Sequence, residues 1–160
     1  MAKYTEYLTE KEVRQQYLKR IKTFLTLVEK CLPDELGLFQ SIPNFTVIDV
    51  TGRYQIEVMS IYKCVPEPDN LVADIFPLGA TTLLGEGLLD ISGALGAERF
   101  VYFCQETTWQ MQYHAGTIYP VYRDTDSEGW YWLEDSLNDR AVFVTGELLF
   151  NFIKKVSTGG

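Results

Sequence analysis

The sequence contains one histidine, three cysteines and no long apolar run, and each shortage excludes a class of protein. The cysteines Cys31, Cys64 and Cys104 are odd in number and widely spaced, so neither a disulfide framework nor a zinc site is expected. No apolar stretch reaches the roughly 20 residues that a membrane-spanning helix requires. Residues 1–10 are polar and lack the apolar centre of a secretory signal. We therefore expect a cytoplasmic protein that does not bind membranes.

The single histidine, His114, limits the nucleophilic chemistry that the chain could perform, because an imidazole-activated serine or cysteine would have to use it. If residues 100–104 and 109–114 form a hairpin, Cys104 lies opposite Trp109. His114 then lies five residues further along the strand, about 16 Å away. We therefore assign no catalytic residue and favour a non-catalytic protein, leaving open an enzyme that relies on carboxylates.

Two short patterns resemble ligand loops but lack the required spacing. Asp124, Asp126 and Glu128 alternate before a glycine, without the twelve-residue spacing and terminal glutamate of a calcium loop. Gly85 and Gly87 flank a glutamate, and no third glycine completes a dinucleotide-binding fingerprint. The sequence therefore predicts no metal site and no cofactor.

The formal net charge is −8, and it is distributed unevenly along the chain. Residues 1–30 hold seven Lys/Arg and four Asp/Glu, whereas residues 31–160 hold seven Lys/Arg and eighteen Asp/Glu. This acidic body should repel duplex nucleic acid, which carries a dense array of phosphates. A protein partner with a basic surface fits the charge better.

One long helix is predicted at residues 1–32. Its apolar residues recur at spacings of three and four, and Thr9 with Glu12 has the pattern of a capping box. Pro33 should end the helix, because the residue before a proline avoids the α region. A short helical turn could follow at 33–39.

A second helix is predicted near the other end, at residues 146–156. Thr145 is suited to cap it, and its apolar side chains again form one stripe. Residues 157–160 read as a flexible tail. Because no independent core can be assembled on either side of a linker, we predict a single domain over residues 1–160.

Between the helices, the pattern is mainly that of β-strands. A first hairpin is predicted from 45–50 and 53–62, which would place Val47 opposite Ile56 and Phe45 opposite Val58. Further strand candidates are 71–76, 100–104, 109–114, 117–123, 130–133 and 141–144. The glycine-rich stretch between them could hold a weak helix at 83–91. The predicted fold is α+β, with both helices packed on a mostly antiparallel meander sheet of five to seven strands.

Residues 109–135 are the most distinctive part of the sequence, because they combine clustered aromatic and acidic side chains. Trp130, Tyr131 and Trp132 are consecutive, so on a strand they must face alternate sides. Either both faces of the sheet are covered by the two helices, or an aromatic ring is exposed for binding. The candidate protein-binding residues are Trp109, Tyr122, Asp124, Asp126, Glu128, Trp130 and Trp132.

The last 60 residues resemble the SUKH superfamily of toxin-immunity proteins. The similar features are the segments 103–112 and 121–124 and a closing helix that carries Phe150 and Phe152. The asparagine-glycine-glycine element expected after the first helices of that family is absent. The resemblance implies an immunity or inhibitor role, and no functional residue is transferred from it.

Together these observations favour a non-catalytic, acidic protein-binding domain of inhibitor, immunity or adaptor type with a basic partner. The alternative is a small-molecule-binding domain with a pocket between the glycine-rich segment 79–96 and the aromatic sheet. The sequence does not indicate an oligomeric state.

Overall fold

The computed structural model describes residues 9–49, 51–80, 87–103, 112–114, 117–119, 127–135 and 140–157. Two α-helices occur in this part of the chain, α1 (Glu10–Cys31) and α2 (Gly146–Ser157), and a short 3₁₀ helix covers Pro68–Asn70. The described strands are β1 (Leu36–Asp49), β2 (Gly52–Lys63), β3 (Leu71–Gly79), β4 (Leu88–Gly93), β5 (Gly96–Phe103), β6 (Gln112–His114), β7 (Thr117–Tyr119), β8 (Gly129–Asp135) and β9 (Arg140–Phe143).

Seven strands form one antiparallel sheet in the order β1-β2-β3-β4-β5-β8-β9, and β6 pairs with β7 in a separate two-stranded ribbon. Every pair in the large sheet is antiparallel, and only β5 and β8 are neighbours that do not follow each other in the chain. The predicted α+β fold with a meander sheet and a helix near each end is confirmed.

Helix α1 begins directly after Thr9, the predicted capping residue, and residues 1–8 of the predicted helix lie outside the described part of the chain. The Glu12 N–H donates to the Thr9 hydroxyl at 3.1 Å, and the Glu12 carboxylate accepts from the Thr9 N–H at 3.1 Å. Leu32 is already extended, as expected for a residue before proline. The helical turn predicted for 33–39 is wrong, because Leu36 starts β1. Its side chain packs against the core, which outweighs the local helix signal.

The β1–β2 hairpin has the predicted buried face but a different register. Phe45 lies opposite Ile56, and Val47 lies opposite Tyr54, so the pairing is shifted by two residues. The shift arises because Asp49 pairs with Gly52, which places the turn one residue earlier than expected. A shift by two keeps every side chain on its face, so the prediction of the buried face is correct.

The weak helix predicted for 83–91 is wrong over residues 88–91, because Leu88–Gly93 is strand β4. Strand β4 is buried on both faces of the sheet: Leu88 points to one side, and Leu89 and Ile91 point to the other. Burial on two sides removes the alternation of polar and apolar residues by which strands are recognised.

Both helices pack on the same face of the large sheet. Phe24 of α1 contacts Phe100 and Trp130 edge-on, with ring centroids 5.3 Å apart in each case. Phe152 of α2 contacts Phe100 at 5.9 Å and Trp132 at 4.4 Å. The main core therefore lies between the helices and the sheet. Neither described helix is both long and apolar enough to span a lipid bilayer.

The opposite face of the sheet carries a second, smaller core around Tyr131. Its buried members are Leu88, Val101, Phe103, Tyr131 and Ala141. The sequence left open that one helix covers each face of the sheet. This is not the arrangement, because both helices lie on the face of the main core.

Helix α2 is capped as predicted, since the Leu148 N–H donates to the Thr145 hydroxyl at 3.2 Å. The helix continues through Ser157, which is buried and donates to the Lys154 carbonyl at 3.1 Å. Ser157 is therefore part of the fold and not of the predicted tail, whose remaining residues lie outside the described part of the chain.

Candidate functional site

The three consecutive aromatic residues of β8 are all buried or partly buried. Trp130 is 6% exposed and its indole Nε1 donates to the Arg20 carbonyl at 2.9 Å. Trp132 is partly buried and its Nε1 donates to Glu98 at 3.2 Å. Tyr131 points to the other face, where it is fully buried and donates to the Ser127 carbonyl at 2.6 Å. Trp130 therefore lies in the core and offers no surface to a partner.

Glu128 is the described acidic residue of the predicted surface, and it is exposed. Its carboxylate accepts a hydrogen bond of 2.7 Å from the hydroxyl of Tyr102. The Arg20 guanidinium lies over the Tyr102 ring, 4.2 Å from its centre. A cation, an aromatic ring and a carboxylate therefore adjoin at the junction of α1, β5 and the start of β8.

The remaining predicted site residues, Trp109, Tyr122, Asp124 and Asp126, lie outside the described residues, so their contribution stays a prediction. The same holds for Cys104 and for most of the two segments that resemble the SUKH superfamily. His114 closes strand β6, where its backbone pairs with Thr117.

A second acidic surface, which the sequence analysis did not identify, lies where α1 leads into β1. Leu36 pairs with Lys63, so the residues before β1 adjoin the loop that follows β2. The Cys64 N–H donates to the Glu35 carbonyl at 2.9 Å, which fixes this contact. We call this region the acidic loop surface; its exposed carboxylates are Asp34, Glu35, Glu67 and Asp69.

Backbone hydrogen bonds give the loop of the acidic loop surface a defined shape. The Glu67 N–H donates to the Val65 carbonyl at 2.8 Å, and the Asn70 N–H donates to the Glu67 carbonyl at 2.8 Å. Val65 is 47% exposed and Leu71 is 44% exposed. Two exposed apolar side chains therefore lie in or directly after the loop that carries Glu67 and Asp69. The sequence signal for an exposed acidic loop is the alternation of Pro66 and Pro68 with Glu67 and Asp69.

Among the described residues, the four carboxylates of the acidic loop surface form no ion pair. Within the described residues, ion pairs join Arg99 to Asp90 and Lys155 to Glu98, each at 2.9 Å. Both pairs lie on other parts of the sheet.

A buried polar network joins α1 to the sheet. The Tyr17 hydroxyl donates to the Leu88 carbonyl at 2.6 Å and accepts from the N–H groups of Leu78 at 3.0 Å and Gly79 at 3.2 Å. Burial raises the pKa of this phenol above its ordinary value of 10.0, although the two N–H groups act in the opposite direction. With every hydrogen-bonding position filled, the Tyr17 hydroxyl has a structural role.

Asp49 holds the tip of the first hairpin against the end of β3. Its carboxylate accepts from the Thr51 N–H at 2.8 Å, the Tyr54 hydroxyl at 2.7 Å and the Ala80 N–H at 2.7 Å. Burial acts to raise the pKa of Asp49, but these hydrogen bonds outweigh it and hold the pKa below the ordinary 3.8. The Arg14 guanidinium lies 5.7 Å from the centre of the Tyr54 ring.

One further buried group of polar side chains, around Ser60, has a structural role. Ser60 is fully buried and lies 2.7 Å from the Ser41 hydroxyl and 2.5 Å from Asp74, so a substrate could not reach its oxygen. Among the side chains that the structure describes, no group of three or more His, Cys, Asp or Glu is placed to hold a metal ion.

The pocket predicted beside the glycine-rich segment stays a prediction. At Gly87, an added Cβ would lie 3.2 Å from Tyr17, 3.3 Å from Tyr102 and 3.4 Å from Trp130, so side chains already fill this space. An open groove of about 340 Å³ lies elsewhere, between the end of α1 and the start of α2. It is lined by Leu27, Lys30, Cys31, Gly146, Glu147 and Phe150. Burial raises the pKa of the Cys31 thiol, which makes it a poor nucleophile.

Comparison of the chain with protein-family models, with curated proteins and with solved structures gave no match in any of the three.

Proposed function

We propose that this chain is a non-catalytic protein-binding domain, of inhibitor, immunity or adaptor type, which binds a partner with a basic surface. The observation that carries the proposal is the set of exposed carboxylates on the acidic loop surface, which form no ion pair among the described residues. Opposite charges across an interface accelerate association and select the partner. The exposed Val65 and Leu71 would supply the apolar contact that charge alone does not provide.

The Glu128 region is a second part of the proposed binding surface. Glu128 contributes its carboxylate beside Tyr102, and Asp124 and Asp126, which precede it in the sequence, stay predicted members of this region. Trp130 is removed from the proposed contact residues because of its burial. Trp132 remains available only through its exposed part.

The first experiment is an affinity capture with the full chain from its source lysate, at low and at high salt, followed by mass spectrometry. A basic partner captured in fixed stoichiometry and lost at high salt is expected, because salt screens charges at an exposed interface. Capture of no protein at either salt concentration would contradict the proposal.

Substitutions in this chain then test which of its surfaces binds the captured partner. Replacing Asp34, Glu35, Glu67 and Asp69 by serine should weaken binding and reduce its salt dependence, and the Asp124, Asp126 and Glu128 triple serine variant tests the second region separately. The control replaces the exposed acids Glu10, Glu29 and Glu147 by serine. If this control weakens binding as much as the loop variant, net charge alone is responsible and the proposed surface is wrong.

A further inference from the structure

The first hairpin is only partly joined to the large sheet. Strand β2 pairs with β3 over residues 59–62, and Met59 opposite Ile75 is the last pair toward the turn. Within the described residues, the rest of β2 pairs with β1 only, while β3 continues to Gly79 beside β4. We call the part of the hairpin beyond Met59 the arm; its described residues are 45–49 and 51–58. The arm is thus a two-stranded ribbon that extends beyond the paired part of β2 and β3.

The ladder of the hairpin is interrupted where the arm begins. The register between β1 and β2 shifts between Gln40 and Ile42 and again between Ile42 and Phe45. Pro43, which lies between the paired residues Ile42 and Phe45, has no N–H to donate. Because such irregularities leave residues unpaired and bend the strand, the base of the arm is a point at which the ribbon can change direction.

Side chains, rather than ladder hydrogen bonds, join the arm to the rest of the described fold. The Asp49 carboxylate accepts from the Ala80 N–H at 2.7 Å, at the end of β3. The ring of Phe45 contacts the ring of Phe76 on β3, with centroids 5.6 Å apart. Asp49 therefore supplies a hydrogen bond between the arm and β3 beyond the last ladder pair.

The arm also contributes apolar side chains to the main core. Val47 and Ile56 are buried in the same cluster as Tyr17 and Phe24 of α1. An isolated two-stranded ribbon is barely stable in water, so the arm depends on these contacts for its own ladder. Release of the arm would therefore expose Val47 and Ile56 and break the pairing between its two strands.

We propose that the arm opens as one unit while the rest of the fold stays intact, and that the bond from Asp49 to Ala80 keeps it closed. Opening in this way breaks no backbone pairing between β2 and β3. Asp49, Val47 and Ile56 lie on one face of the arm, so the open form would present a carboxylate beside apolar side chains. A partner that binds these groups would select the open form. This opening does not involve the acidic loop surface, so the two proposals fail independently.

Native-state hydrogen exchange of the full chain tests the proposal without any substitution. Amides that bond across the ladder of the arm should exchange faster than the ladder amides of β4 and β5. Their exchange should also respond less to low concentrations of denaturant, because opening the arm exposes less surface than global unfolding. Equal exchange and equal denaturant responses would overturn the proposal, because the arm and the sheet would then open together.

Two substitutions separate arm opening from global unfolding. Asp49→Asn weakens the contact with Ala80 and should accelerate exchange of the arm amides by about 5- to 150-fold. Gly93→Ala is the matched control, because Gly93 lies opposite Ala73, at the far end of β3 from Ala80. It should accelerate exchange of the β4 and β5 amides and leave the arm amides unchanged, because the open and closed forms both contain the altered contact.

Equal acceleration of the arm and sheet amides in Gly93→Ala would overturn the proposal, since the arm would then open only when the whole fold does. Unchanged exchange of the arm amides in Asp49→Asn would contradict the role given to Asp49. If either variant fails to fold, the wild-type comparison of the arm with β4 and β5 decides the outcome.

Discussion

The hydroxyl oxygen of Tyr17 lies 2.6 Å from the carbonyl oxygen of Leu88, which is 71 residues further along the chain. This contact joins α1 to β4 beside the register irregularity between Pro77 and Gly79 of β3. The N–H groups of Leu78 and Gly79 donate to the same oxygen. One phenol thus hydrogen-bonds to three backbone groups from two neighbouring strands.

We expect Tyr17→Phe to lower the free energy of unfolding by about 1–3 kcal/mol, because three buried backbone groups lose their partner. Chemical denaturation at neutral pH would measure this loss. Tyr62→Phe is the control, since Tyr62 is partly buried against Phe39 and its hydroxyl makes no hydrogen bond with the described residues. Equal losses in both variants would contradict the role given to the Tyr17 hydroxyl.

The Tyr17 phenol should also make the fold sensitive to alkali. Its pKa is raised by burial, so the folded chain keeps a proton that the unfolded chain releases above the ordinary pKa of 10.0. The stability it contributes is full below that pH and falls as the pH rises further. The decline in unfolding free energy above pH 10 should therefore be steeper in the wild type than in Tyr17→Phe.

Asp49→Asn should destabilise the protein at neutral pH by about 1–3 kcal/mol, because an amide cannot accept all the hydrogen bonds of the carboxylate. The folded-state pKa of Asp49 lies below 3.8, so its contribution is present above that value and is lost as the pH falls. In chemical denaturation between neutral and acidic pH, the free energy of unfolding should fall less steeply with decreasing pH in Asp49→Asn than in the wild type. Asp69→Asn, at an exposed acid without a side-chain partner in the described structure, is the control. A parallel decline in wild type and Asp49→Asn would contradict the assignment.

Gly93→Ala should disturb the packing of α2 against strand β4 and so destabilise the fold. An added Cβ would lie 2.3 Å from the carbonyl oxygen of Val156, which accepts a 2.8 Å hydrogen bond from the Leu95 N–H. Because the obstructing atom belongs to the backbone and cannot rotate away, we expect the free energy of unfolding to fall by about 1–3 kcal/mol, as for other overpacked sites. Thermal unfolding would measure the loss.

Gly146→Ala is the matched control for this substitution. Its new Cβ would lie 3.5 Å from the Cβ of Cys31, an ordinary contact, and alanine favours the first turn of α2. We expect unchanged or slightly higher stability. Destabilisation by Gly146→Ala as large as that by Gly93→Ala would mean that the close approach to Val156 is not the cause.

Trp130→Phe should lower the free energy of unfolding by about 1–3 kcal/mol, because it removes buried volume and the hydrogen bond to Arg20. Trp132→Phe should cost less, since Trp132 is only partly buried and its bond to Glu98 is 3.2 Å long. Denaturation with far-UV detection compares the two. The reverse order would contradict the core position of Trp130.

The sequence predicted correctly those features that depend only on residues close together in the chain. The capping box at Thr9, the end of α1 before Pro33 and the cap at Thr145 depend on neighbouring residues only, and each is confirmed. The buried face of the first hairpin also follows from alternation alone. Its register depends on where the turn falls. Asp49 bonds to Thr51 within that turn and to Ala80 at the end of β3, and neither bond leaves a periodic pattern in the sequence.

The candidate surfaces show the same division between local and long-range causes. The prolines and acids of residues 65–70 are a local signal for an exposed loop, but the closeness of this loop to Asp34 and Glu35 depends on the pairing of Leu36 with Lys63. Burial of Trp130 depends on where α1 lies, since Phe24 of that helix covers its ring. Composition could identify the aromatic run, but could not decide which face each ring occupies.

The position of α2 also has a consequence for biosynthesis. A ribosome completes all the strands of the large sheet before it makes α2, whose buried residues Leu149, Phe152, Ile153 and Val156 close the main core. Until then, Phe100 and Trp132 lack the Phe152 ring that packs against them. We expect the nascent chain to expose this apolar face and to bind chaperones until α2 emerges.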